Sequence, residues 1–353
     1  MPHKGGTEPY RSGSGIMNEA LFYRKEADNR VTCMLCSHHC RIREGRRGIC
    51  GVRENRDGVL YSLVYGRLVA EHVDPIEKKP LFNFLPGTRA FSISTVGCNF
   101  RCLHCQNYDI SQYPHLHDND IAGTRRTAEE VVTQARRTGC ASVCYTYVEP
   151  TIFYEFARDC SVLAHEQGLR NVFVSNGYMT EEVTRDLAPH LDGINIDIKA
   201  FSEDFYRTVC KAGLQPVLDT VRLMHELGVW VEVTTLVIPG LNDSDRELRQ
   251  IAEFICSVSP AIPWHVTAFR PTYKMLDRPA TDSSTLHRAR QIGLASGLRY
   301  VYEGNIPGSG GENTRCPECG TEVISRLGFS IRRNILSDGR CPDCGGTVDG
   351  VWS

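Results

Sequence analysis

Cysteine is the residue type that could do chemistry in this chain. There are 16 in 353 residues, and eleven fall into three close-spaced groups. The central group reads Cys98-Asn-Phe-Arg-Cys102-Leu-His-Cys105, a CxxxCxxC spacing. Thiolates hold iron–sulfur clusters, usually four to a cluster. No fourth cysteine stands nearby; the next is Cys140. Three thiolates on a 4Fe-4S cluster leave one iron without a protein ligand, the same distinction that separates open catalytic metal sites from closed structural ones. A zinc knuckle would need a fourth ligand, for which only His104 lies close, and three cysteines within eight residues do not read as chance buried thiols.

The two flanking groups each have four cysteines. Cys316, Cys319, Cys341 and Cys344 form CPEC and CPDC pairs, the pattern of a zinc-ribbon or rubredoxin-like knuckle. Zinc is the better expectation there, and iron in the same cage of four sulfurs is compatible. Cys33, Cys36, Cys40 and Cys50 suggest another four-sulfur site. Their spacing admits either zinc or a second iron–sulfur cluster.

The rest of the composition narrows the class. A net charge of −2 gives no indication of a nucleic-acid partner. The first fifteen residues have no apolar core of a signal peptide, and no run is long enough to span a membrane. Clustered cysteines in such a chain read as metal ligands kept reduced in the cytoplasm, not as disulfides.

Elements that could position these groups recur at regular intervals. β-branched or aromatic runs stand at 90–95, 142–148, 171–175, 193–199, 230–238, 264–269 and 299–303, with helical stretches between them. Capping boxes at Thr127…Glu130 and Ser244…Glu247 start helices. Gly139, Gly168, Gly228 and Gly297 end them. The pattern predicts an α/β fold, a partial (β/α)6 TIM-like barrel at 88–304. Before it come a flexible stretch at 1–20 and a four-cysteine metal-binding segment with its connector at 21–87. After it comes a Gly-rich linker with the tail knuckle, 305–353. Barrel chemistry sits at the C-terminal ends of the strands. The cysteine motif, Glu149, Asn176, Asp197, Lys199 and Arg270 all fall at or just past such ends. The loop at about 106–126 is long enough to be a lid or a plain insertion.

CxxxCxxC after the first strand resembles the radical S-adenosylmethionine (SAM) fingerprint. The segments at 33–50, 74–87, 97–107, 145–153, 175–177, 197–199 and the two-CxxC tail together resemble the radical SAM proteins of the AmmeMemoRadiSam system, relatives of pyruvate formate-lyase activating enzymes. The resemblance implies that the open iron chelates SAM and that a 5′-deoxyadenosyl radical is produced for hydrogen abstraction. It implies an electron donor such as flavodoxin or ferredoxin. His104 stands where an aromatic residue lies against the adenine. Glu149, in Tyr147-Val148-Glu149-Pro150, matches the Gly-Gly-Glu-Pro glutamate that binds the SAM amino group, with both glycines replaced; alternatively it serves a helix N-terminus. Asn176 matches an Asn for ribose or carboxylate, or is a turn residue. Asp197 and Lys199 match an Asp-Leu-Lys at the strand end and share one face; they serve SAM or form a structural ion pair. His265 and Arg270 either contact SAM or substrate or serve a structural role. Three functions follow: radical modification of a protein, as in glycyl-radical activation; radical modification of a small molecule or RNA; or a non-catalytic metal-binding scaffold.

Overall fold

The structure is a computed structural model that describes residues 10–12, 15–306 and 308–353. Among these residues eight strands form the main sheet: β1 (Ala70–Pro75), β2 (Arg89–Ser94), β3 (Ser142–Tyr145), β4 (Arg170–Ser175), β5 (Gly193–Asp197), β6 (Trp230–Val237), β7 (Trp264–Ala268) and β8 (Val301–Gly304). Spatial order follows chain order from β8 to β1. Strands β2 to β8 pair in parallel, and β1 runs antiparallel to β2. Six longer helices connect the parallel strands: α1 (Ala128–Arg137), α2 (Tyr154–Glu166), α3 (Glu181–Leu187), α4 (Gln215–Glu226), α5 (Asp245–Val258) and α6 (Ser283–Ala295). This is the expected partial barrel, with the seventh run joined as β8.

The local signals act as their chemistry predicts, with one exception. Thr127 and Glu130 make both halves of a capping box at α1. Ser244 caps α5 by accepting from Glu247 N, but the Glu247 carboxylate instead accepts from Phe201 N at 2.8 Å. The four helix-ending glycines all have positive φ, the left-handed conformation in which glycine is unstrained.

The antiparallel edge β1 had no sequence signature. Half of its residues, AEHVDP, are polar and three are exposed. The chain then turns under the barrel. Ile76, Leu81, Phe84 and Leu85 pack with Ala90, Cys144 and Val172 as a floor beneath the strands. Gly193 admits Phe84, whose ring would lie 3.0 Å from any Cβ there. Glu232 fastens the floor: its carboxylate accepts from Phe82 N, Asn83 N, Trp230 Nε1 and His265 Nε2 at 2.6–3.0 Å. His265 is therefore committed at the N-terminal end of the barrel, opposite the cysteine motif, which is the structural one of its two expected roles.

The tail hairpin, β9 (Thr314–Arg315), β10 (Glu322–Leu327) and β11 (Ser330–Asn334), shares an apolar cluster with Phe82, Tyr300 and Tyr302. Buried Arg326 donates to Phe82 O at 2.8 Å. In the part expected to be loose, Tyr10–Ser12 and Gly15–Glu19 form strands, and the latter pairs with Val59–Ser62. Residues 1–9, 13 and 14 lie outside the described residues. No described helix is long and apolar enough to cross a membrane.

Candidate functional site

The loop after β2 carries Cys98, Cys102 and Cys105. Its backbone is braced on every side. Arg101 N and Leu103 N donate to Cys210 O and Val209 O at 2.9 and 3.1 Å, on either side of Cys102. Lys274 N, from the loop after β7, donates to Leu103 O at 3.0 Å. His38 Nε2 sits 2.7 Å from Asn99 O, and Gln112 Nε2 donates to Phe100 O at 3.1 Å. The 106–126 segment is tied to its surroundings as well. It folds into two short helical turns and packs on the front module: His115 Nε2 lies 3.0 Å from Ile49 O, and Arg47 Nη1 donates to Asn119 O at 2.5 Å.

The strand ends bring the other residues to this loop. Glu149 is buried and accepts four hydrogen bonds: from Thr151 N, Thr151 Oγ1 and Ser175 Oγ at Oε1, and from Asn176 N at Oε2. It also caps the short turn Pro150–Phe153, so the helix-terminal reading is realised. Burial nevertheless raises its pKa against those hydrogen bonds, which leaves a carboxylate that would gain from a cation. Asn176 Nδ2 donates to Asn99 Oδ1 at 2.8 Å, and its Oδ1 accepts from Tyr178 N at 3.1 Å. Its side chain ties β4 to the cysteine loop.

Asp197 and Lys199 form an ion pair of 2.9 Å. Burial alone would lower the Lys199 pKa, but Asp197, Cys102 and Cys210 outweigh it and keep the ammonium charged. His104 is buried, and burial followed by the Lys199 charge lowers its pKa to about 3. Its neutral ring has Nδ1 without a protein partner, as does Asn99 Nδ2. Arg270 is exposed.

Two residues were not legible as site members. Cys210, at the end of the π-helical turn Tyr206–Cys210, stands beside Cys102: its thiol first, and burial second, hold the Cys102 proton and raise its pKa. Tyr147, at the position of a glycine in the resembled Gly-Gly-Glu-Pro motif, takes a left-handed φ of 67°. Its hydroxyl donates to Asp74, and Lys79 Nζ lies 4.5 Å over its ring.

The three cysteine groups differ in spacing. Among the described residues, Cys316, Cys319, Cys341 and Cys344 form one group with all sulfurs within 4.8 Å of one another. The Cys316–Cys344 and Cys319–Cys341 contacts are 3.6 and 3.7 Å. Zn–S bonds of about 2.3 Å set a tetrahedral S···S edge of about 3.8 Å, so this cage fits one ion. Cys98, Cys102 and Cys105 are not such a group. A polynuclear cluster binds each thiolate to a different iron and needs the wider spacing. Buried thiols with raised pKa values are protonated until a metal displaces the protons. With the unpartnered buried atoms beside it, this donor set fits a cluster and a polar ligand.

Residues 92–255 match the family profile described as the Radical SAM superfamily. These residues form a radical SAM domain. It is 47% identical over 336 residues to an uncharacterised protein of Methanocaldococcus jannaschii, covering 94% of this chain and 99% of that one. It is 24% identical over 230 residues to the pyruvate formate-lyase-activating enzyme of Clostridium pasteurianum, covering 62% of this chain and 93% of the relative. A solved domain of pyruvate-formate lyase-activating enzyme from Bacteroides vulgatus resembles it with a TM-score of 0.41 at 20% identity, covering 47% of this chain and 99% of that one.

Proposed function

We propose that this protein reductively cleaves SAM at a 4Fe-4S cluster held by Cys98, Cys102 and Cys105, and that the target of the resulting hydrogen abstraction is a protein residue. When bound, the cluster supplies the electron that opens the sulfonium C–S bond and yields a 5′-deoxyadenosyl radical. Glu149 accepts the SAM ammonium, and the Lys199 ammonium pairs with its carboxylate while Asp197 orients the lysine. His104, neutral and buried, lies against the adenine with Nδ1 available to it. Asn176 positions Asn99, and through it the cluster loop.

The observation that carries this reading is Glu149: a buried carboxylate with only neutral donors, at the strand end beside a three-thiolate loop. The protein target rests on similarity to activating enzymes; an electron donor of the flavodoxin or ferredoxin class completes the scheme. The test is anaerobic reconstitution, reduction with dithionite, and measurement of 5′-deoxyadenosine and methionine. An intact cluster that yields neither product would refute the reading and favour a scaffold. Deuterium passing into 5′-deoxyadenosine from a labelled small molecule or RNA, and from no protein, would overturn the target class.

A further inference from the structure

We propose that Cys33, Cys36, Cys40 and Cys50 hold a second iron–sulfur cluster, not a single zinc ion, against the backbone that leads into Cys98. The proposal does not depend on the chemistry assigned to the Cys98 loop.

The tail knuckle is an internal standard. Its four sulfurs lie within 4.8 Å of one another, with contacts of 3.6 and 3.7 Å, as one tetrahedral ion requires. Among the described residues, neither the four front cysteines nor any three of them meet that spacing. Yet they share one space. Cys33, Cys36 and Cys50 are buried and Cys40 is partly so, and Cys33 N donates to Cys40 O at 2.9 Å. A cage that converges but is too wide for one ion suits a cluster in which each thiolate takes its own iron.

A second observation concerns charge. Arg53 is 1% exposed. Its guanidinium pairs with Glu155 and donates to Leu21 O, but Nε and Nη1 have no partner. Its backbone is tied into the cysteine segment, Gly48 N donating to Arg53 O at 2.9 Å two residues before Cys50. Buried donors are almost always satisfied, and cluster sulfurs accept hydrogen bonds. A cluster with four thiolates carries net negative charge and gives these N–H groups their acceptors.

The cage shares its wall with the central loop. A Cβ on Gly97 would lie 2.6 Å from Val52 Cγ1 and 2.9 Å from Cys50 O. Gly97 also has φ of 96°, so only glycine lets the two backbones approach this closely. His38, between Cys36 and Cys40, reaches Asn99 O, and Ser37 N donates to Tyr178 O at 3.1 Å.

The test uses the full chain with Cys98→Ala, Cys102→Ala and Cys105→Ala combined, reconstituted anaerobically with ferrous iron and sulfide and then desalted. About four iron and four sulfide per chain should remain, as one 4Fe-4S cluster requires, with zinc at the tail. The reduced paramagnetic signal should not change when SAM is added. Adding Cys36→Ala and Cys50→Ala should remove the iron and leave the tail zinc. A triple variant that holds two zinc ions and no iron or sulfide overturns the proposal, as does iron that survives the Cys36 and Cys50 replacements. Failure of the wild type to produce 5′-deoxyadenosine would bear on the SAM reading alone, because the triple variant lacks that site.

Discussion

Replacing Glu149 by glutamine removes a charge and little else in size. In the native site Oε1 accepts at 3.1, 2.6 and 2.8 Å from Thr151 N, Thr151 Oγ1 and Ser175 Oγ, and Oε2 accepts at 2.6 Å from Asn176 N. A glutamine carbonyl can keep the first three. Its amide then faces the Asn176 N–H, donor against donor, leaving a buried hydrogen bond unmade at about 1–3 kcal/mol. An incoming ammonium loses more, because its charge-assisted bond to the carboxylate is worth about 1.5–3 kcal/mol. At about 1.4 kcal/mol per tenfold, the SAM dissociation constant should rise roughly 10- to 150-fold. The assay is calorimetric titration of SAM into wild type and Glu149→Gln reconstituted to equal iron and sulfide. Equal affinity at equal cluster content would refute the assignment, and Glu149 would then be only the cap of the Pro150 turn.

Other outcomes follow from the same contacts. With a cluster bound Cys102 carries no proton and the Cys210 thiol is left as the donor beside its sulfur, so Cys210→Ala should move the cluster's midpoint potential negative in a titration followed by electron paramagnetic resonance; an unchanged potential refutes that role. Asp74→Asn strips buried Lys79 of its 2.6 Å partner and should lower stability by about 3–5 kcal/mol in thermal unfolding at pH 7. Burial would raise the Asp74 pKa, but hydrogen bonds from Lys78, Lys79 and Tyr147 outweigh it and hold it below the ordinary range. Its contribution should therefore be full above the unfolded-state value of about 3.9 and fade as pH falls below it, a fade the variant should lack. Chelation of the tail metal should unfold the knuckle and expose Phe82, Tyr300 and Tyr302, detected as dye binding, with release of about one zinc per chain.

The local chemistry was legible because it is written over short spans. Cys98, Cys102 and Cys105 lie within eight residues, and CPEC and CPDC within four each. Alternation and glycine stops give the barrel strands and helix ends without reference to anything distant. The capping box at Thr127 closed as read. The one at Ser244 did not, because Phe201 N, 46 residues away, took the glutamate.

Spacing and periodicity along the chain were enough for the three cysteine groups, the tail cage, the parallel strands and the strand-end placement of Glu149, Asn176, Asp197 and Lys199. Folding had to settle that residues 70–75 form the antiparallel edge, that 76–85 floor the barrel, that His265 belongs to Glu232 and that Cys210 meets Cys102. It also separated a cage tight enough for one ion from two that are wider. These features depend on pairings between residues tens to hundreds of positions apart, and the distances between them are set only when the sheet curves and its packed faces close.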